Sequence, residues 1–503
     1  MNDKKDNKRL HWRGLLFFLV GLFLLTGCQD KQNNEATTHT LPKIESKYDT
    51  ETIAAFTSRV NQGDATRYEN LVIPDSPILT QPDNLPQSLF YDSGIHIAYP
   101  SDGVRGLYIT AENVADEAHF DQLIDFINKT DLNAVVLDFK DDHGNIISVN
   151  DSDNEDIQTN TLGNIDYKKT LKKLEENNIY PIARIVTFKD NVMSDLHPEL
   201  SFHDSKHEGV WADPNGSQFI NPFLFQTWDY NTQVAIEAAK MGFKEIQFDY
   251  IRFPEGFNEF ADELDYDYGD YANYLNDNKE DEGAERVYAI NDFLTYAREK
   301  LIPYGVDVSA DIFGYTAVAN DAADVRGIGQ DFTGMAERVD VISSMIYPSH
   351  WGPVFFGIIS PDLYPYDVVD AYMTHEHKIL SKLHNKVTSR PWLQDFTLDT
   401  LPVGTYKVYG VNEVQDQINA LKKHGIHEFL LWNASGIYTE GVKYLTNSDQ
   451  PVEGPDQYNT NSERDLFGPT APSEETNPNS IEGQNPQIAP IQQYDPITGV
   501  PLN

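Results

Sequence analysis

Between residues 103 and 448 the chain alternates short apolar runs with amphipathic stretches, eight times over. This rhythm constrains the fold more than any other feature, because strands that alternate with helices build parallel sheets. The runs begin at Gly106–Thr110, Asn133–Lys140, Tyr180–Val186 and Glu245–Phe253. They continue at Val306–Phe313, Val339–Tyr347, Arg390–Phe396 and Glu428–Asn433. The stretches between them carry helical periodicity: Ala115–Lys129, Tyr167–Asn177, Trp228–Met241, Ala284–Leu301, Asp331–Arg338, Tyr366–Asn385 and Glu413–His424. A last helical segment is expected around Tyr438–Leu445. Eight units over about 340 residues fit an α/β (β/α)₈ TIM barrel with insertions. An open doubly wound sheet is the alternative. No glycine-rich phosphate turn follows the first run, which argues against its dinucleotide-binding form.

The fourth run, Glu245-Ile246-Gln247-Phe248-Asp249-Tyr250-Ile251-Arg252-Phe253-Pro254, carries charge where a buried strand is normally apolar. In a barrel of parallel strands the C-terminal strand ends form the active site. Asp138, Asp249, Asp311 and Asp395 all fall at such ends. Tyr108, Arg184, Arg252, Tyr347, His350, Trp351, Trp392, Trp432 and Asn433 accompany them as candidate substrate-binding groups. Paired carboxylates with aromatic platforms suit glycoside cleavage, in which one acid protonates the leaving oxygen and a second carboxylate attacks or activates water. A strand-end Asp also salt-bridges a neighbouring Arg or caps a helix in many barrels.

The flanks read differently. Residues 1–27 combine Lys4, Lys5, Lys8, Arg9 and Arg13 with an apolar run from Gly14 to Leu25, the pattern of a signal peptide. Leu25-Thr26-Gly27-Cys28 looks like a lipobox, so Cys28 is the expected lipidation site and the membrane the expected location of the anchor. Cys28 is the single cysteine, which excludes an intramolecular disulfide. Residues 28–102 read as a tether followed by a proline-punctuated, extended segment draped over a neighbouring surface, and 449–503 as a disordered tail poor in large apolar residues. A net charge of −41, from 38 basic and 79 acidic residues, opposes nucleic-acid binding. A monomer is expected.

Metal sites are weaker candidates. His375, Glu376, His377 and His384 match no zinc spacing. Asp151–Asp156 resembles a calcium loop but lacks its glycine and closing glutamate. No cofactor or metal is expected. The acidic, tyrosine-rich insertion Glu255–Glu285 reads as a lid, a substrate wall or a solvated excursion.

Three motifs converge: Val104-Arg105-Gly106-Leu107-Tyr108, Gln247-Phe248-Asp249-Tyr250-Ile251-Arg252-Phe253-Pro254, and Arg390-Pro391-Trp392-Leu393-Gln394-Asp395-Phe396. Together they resemble the bacterial DUF4015 family over residues 103 to 440. The resemblance implies a TIM-barrel relative of glycosidases, with Asp249, Arg252 and Asp395 at matching positions and Asp138 in a similar motif. Many barrel glycosidases carry a Glu pair on strands four and seven; Asp stands at both ends here. The expected function is a surface-anchored glycoside hydrolase of an extracellular or cell-wall polysaccharide. In it Asp249 serves as nucleophile or stabilising carboxylate and Asp311 as general acid/base. Asp395 and Asp138 bind sugar hydroxyls or replace either role. A non-catalytic glycan-binding lipoprotein is the second reading. A metal-dependent deacetylase or esterase is the third, and the chain shows no His/Asp ligand set for it.

Overall fold

The structure is a computed structural model that describes residues 90–445, apart from 207–208, 276–281, 320, 384 and 386, together with the backbone of the two short strands Gln493–Tyr494 and Pro501–Leu502. The signal peptide, Cys28, most of the tether and nearly all of the expected disordered tail lie outside the described residues.

Eight parallel strands form the barrel: β1 Arg105–Ile109, β2 Ala134–Lys140, β3 Tyr180–Val186, β4 Glu245–Asp249, β5 Asp307–Phe313, β6 Val341–Met345, β7 Trp392–Gln394 and β8 Phe429–Trp432. Closure is explicit in the register. Arg105 pairs with Phe429 across β1 and β8, and Gly106 with Ala134 across β1 and β2. The connecting helices are α1 Glu117–Asn128, α2 Tyr167–Glu176, α3 Phe225–Met241, α4 Ala284–Leu301, α5 Phe332–Ala336, α6 Pro365–Leu380 and α7 Val411–Lys423. Each presents an apolar stripe to the outside of the barrel; Phe293 of α4, for example, packs edge-on against Phe248 of β4. Among the described residues no helix is long and apolar enough to cross a membrane.

The two central strands alternate strictly. Ile246 and Phe248 on β4, and Val308, Ala310 and Ile312 on β5, are fully buried. Between them Glu245, Gln247 and Asp249, and Asp307, Ser309 and Asp311, point inward. Reach across the barrel establishes this. Gln247 donates to Ser343 Oγ on β6, two strands away, and Glu245 receives both Nη1 bonds of Arg390, at 2.7 and 2.8 Å. Buried polar groups persist only when partnered, and here the partners stand on opposite strands.

Four expectations fail in detail. β4 ends at Asp249 rather than Phe253, because Tyr250 adopts φ 49°, which no strand accommodates. The seventh strand is split into Thr388–Ser389 and β7, with Pro391, which has no N–H to donate, between them. Residues 438–445 are not helical. Gly441 has φ 91°, and Thr439 is held by Asp395. Over its described length the insertion after β4 is not a lid: Tyr266, Tyr268 and Tyr271 pack around Phe223, Asp262, Glu263, Asp265 and Asp270 are solvated, and of residues 255–275 only Glu255 lines the cleft.

Residues 90–100 run along the N-terminal end of the barrel. Ile95 and Ile97 are buried, Lys244 Nζ donates to the carbonyl of Ile95, and Tyr99 donates to Glu428. Gly242, at φ 124°, ends α3 where a Cβ would lie 2.5 Å from the Ile95 side chain.

Candidate active site

A cleft opens at the C-terminal end of the barrel, where the strand rule places function. Its volume, taken out to the mouth, is about 960 Å³. Asp249 and Asp311 both line it, with Arg184, Arg252, Tyr347, His350, Trp351, Trp392 and Trp432. Sequence reasoning passed over Tyr250, Gln330, Tyr315 and Phe313, which also line it. Tyr315 opens a five-residue helix, Tyr315–Ala319, and Gln330 lies on the loop beyond; neither stretch is long enough to show periodicity.

Asp138, Asp395, Tyr108 and Asn433 do not line the cleft. Asp138 is buried behind it. Asp395 accepts from the Thr439 N–H and hydroxyl, and the Asn433 amide donates to the carbonyls of Asp395 and Ile437. Those bonds organise the turn after β8. Burial pushes the Asp395 carboxyl up, against the pull of Thr439.

Strand register makes Asp249 and Asp311 neighbours. Phe248 pairs with Ala310, one residue before each. Adjacent strands run about 4.8 Å apart, and paired positions face the same side. The two carboxyls have opposite environments. Asp249 Oδ2 accepts from Arg184 Nε at 2.9 Å and lies 2.8 Å from Nη2, and its Oδ1 accepts from the Tyr250 N–H at 2.7 Å. Asp311 has no cationic partner in direct contact among the described residues. Burial and the nearby Asp249 charge hold its carboxyl well above the usual range, while the Trp392 indole N–H, donating to Oδ1 at 2.8 Å, pulls the other way. Two adjacent carboxyls thus differ in surroundings: Asp249 lies against a guanidinium, and Asp311 is buried with its carboxyl pushed up.

Arg184 is almost wholly buried and bound to three carboxylates. Its Nη1 also reaches Asp138 Oδ1 at 2.8 Å and Asp142 Oδ2 at 3.2 Å. Burial opposes ionisation of Asp142, but Arg184 and Lys189 outweigh it and hold that carboxyl low. Arg252 lies over the Tyr250 and Phe313 rings, 4.9 Å from each centroid, and donates to Glu255 at 2.8 Å. The aromatic wall is continuous: Trp432 meets Trp392 edge-on at 5.4 Å. Burial drives the His350 imidazole down to about 4, so it is neutral at physiological pH.

Among the described residues no group of three or more His, Cys, Asp or Glu is placed to hold a metal. Glu376 is fully buried against Ser344 and Ser389, and His384 lies outside the described residues. In the acidic stretch after β2, Asn154 is the N-cap of a short helix, Glu155–Asn160.

A closed (β/α)₈ barrel with adjacent strand-end carboxyls in an aromatic cleft defines a glycosyl-hydrolase-like domain, a barrel of the kind that acts on glycans. The chain belongs to the DUF4015 family, described as "Putative glycosyl hydrolase domain", whose model matches residues 106–438. Among solved structures it is similar to the PgaB (BpsB) glycoside hydrolase domain from Bordetella bronchiseptica. That match has 14% identity and a TM-score of 0.50 and covers 66% of this chain and 94% of that one. A hypothetical protein from Ruminiclostridium thermocellum is 34% identical, with a TM-score of 0.34, over 41% of this chain and 96% of that one. The glycoside hydrolase domain of PelA from Pseudomonas aeruginosa matches at 11% identity and a TM-score of 0.35, over 67% of this chain and 96% of that one. No curated protein matches the sequence.

Proposed function

We propose that this chain hydrolyses glycosidic bonds of an extracellular or cell-wall polysaccharide with Asp249 and Asp311 as the working pair. The observation that carries the reading is their lateral adjacency in one cleft, Asp249 against the Arg184 guanidinium and Asp311 buried without one. A sugar ring rests its apolar face on the indoles of Trp432 and Trp351. Asp249, held by Arg184, attacks the anomeric carbon and forms a glycosyl ester. The C–O bond to the leaving sugar breaks, and its oxygen takes the proton of Asp311. Asp311, now a carboxylate, removes a proton from water, which cleaves the ester and returns both groups to their starting state. The close spacing of neighbouring strands favours this double displacement, for which carboxyls stand ~5 Å apart, over direct attack by water, which needs ~6.5–9.5 Å.

The basic segment, the apolar run and Leu25-Thr26-Gly27-Cys28 support secretion and lipid attachment at Cys28, holding the barrel at the outer face of a membrane. The test is a screen of polysaccharides for new reducing ends, with the anomer of the first product read by proton NMR. Cleavage with retention is the expected result. Binding of glycans without cleavage by the folded protein would favour the glycan-binding reading instead.

A further inference from the structure

The two oxygens of Asp138 serve different partners. Oδ1 accepts from Arg184 Nη1 at 2.8 Å, and Oδ2 accepts from the Tyr108 hydroxyl at 2.7 Å. Each partner continues to a different part of the cleft. Arg184 passes its Nε and Nη2 to Asp249. The ring of Tyr108 lies face to face with Trp432, centroids 4.0 Å apart and planes 6° from parallel. One buried carboxyl therefore grips both the carboxylate and the aromatic platform, while standing outside the cleft itself.

We propose that Asp138 is a positioning residue that fixes the placement of Asp249 relative to Trp432, so that a sugar stacked on the indole presents its anomeric carbon to the carboxylate. This rests on the glycosidase reading and gives the residue a role without substrate contact. The physical case is one of shared constraint. Arg184 is a rigid planar fork, so movement at its Asp138 edge is transmitted to its Asp249 edge. Tyr108 is likewise fixed at both ends, by its hydroxyl and by its stacked ring. The charged and titratable groups around Asp138 are Arg184 from β3, Tyr108 from β1, Asp142 beyond β2, and Asp249 across Arg184. Tyr167 of α2 donates to its backbone carbonyl. Burial raises the Asp138 carboxyl to about 6, against the opposing pull of Arg184.

The experiment compares the full chain with Asp138→Asn and Tyr108→Phe. Tryptophan fluorescence, which needs no substrate, is titrated from pH 4 to 8. The wild type is expected to show a transition near pH 6 that Asp138→Asn lacks and that Tyr108→Phe moves upward, since the lost hydrogen bond favoured the carboxylate. On the polysaccharide found by the screen, both variants are expected to lose about 100-fold in kcat with KM within threefold, the signature of misplacement rather than lost binding. Wild-type kcat in either variant, or a pH 6 transition that survives in Asp138→Asn, overturns the proposal. Should Asp138→Asn fail to fold, Tyr108→Phe decides, because it keeps the ring and removes one hydroxyl. A wild type that cleaves no glycan refutes the glycosidase reading, and the fluorescence titration still tests the Asp138 coupling separately.

Discussion

Arg184 donates from Nε to Oδ2 of Asp249 at 2.9 Å, and its Nη2 lies 2.8 Å from the same oxygen in an ion pair. A guanidinium held this way fixes the carboxylate and leaves Oδ1 on the side of the Tyr250 N–H. Replacing Arg184 with Lys keeps the charge but loses the fork, which also spans Asp138 and Asp142. We expect Arg184→Lys to fold and to lose at least about 100-fold in kcat with KM little changed. Wild-type kcat in the folded variant would mean that the fork does not place Asp249.

Trp392 bonds directly to Asp311. Its indole N–H favours the ionised form, against burial and the Asp249 charge. Activity that requires protonated Asp311 disappears as pH rises through the folded pKa of that group. Trp392→Phe removes the donor and should move the alkaline limb of kcat/KM to higher pH by up to about one unit, the worth of one hydrogen bond to a charge. A downward shift would contradict the assignment of Asp311 as the acid.

At the other end of the barrel, Arg390 and Glu245 are each fully buried and paired in two-point contact. Removing one partner strands the other charge away from water. Arg390→Ala should therefore cost about 3–5 kcal/mol, read as a shift in the urea midpoint at constant slope. A loss below about 1 kcal/mol would show that Glu245 finds another partner or takes up a proton at little cost.

Glu376 offers a stability test with a defined sign. Burial raises its carboxyl above the ordinary value of 4.5, while hydrogen bonds from Ser389, Ser344 and Tyr372 oppose the rise. A carboxyl raised in the folded state stabilises fully below its unfolded pKa, and that contribution is lost as pH rises through the folded pKa. Glu376→Gln should abolish this decline and be the more stable protein at pH 7. Urea midpoints for both proteins between pH 4 and 8 check it; parallel curves would contradict it.

Much of the barrel was legible because its signal is local. Tyr180–Val186 is a strand over the same residues that its apolar run predicts, and Asp307–Phe313 differs by one. The failures sit where backbone geometry overrides pattern. Ile251 and Phe253 prolong the apolar run of β4, yet the positive φ of Tyr250 ends the strand. The candidate site was legible only as a set of strand ends. Asp138 and Asp249 look alike in sequence, both an Asp closing an apolar run. Both reach Arg184; what separates them is Tyr108, whose hydroxyl closes over Asp138 from another strand. Gln330, on a loop, and Tyr315, at the start of a five-residue helix, carry no periodic signal at all.

The most direct measurement compares kcat for the wild type, Asp249→Asn, Asp311→Asn and the double variant on the polysaccharide that the screen identifies, with thermal melts showing that each is folded. Groups that act as one unit are strongly non-additive when removed. Each single variant is predicted to lose about 1,000-fold or more, and the double variant to lose no more than the worse single one. Full turnover by either folded single variant would contradict the assignment of that carboxyl, and with it the pairing of Asp249 with Asp311.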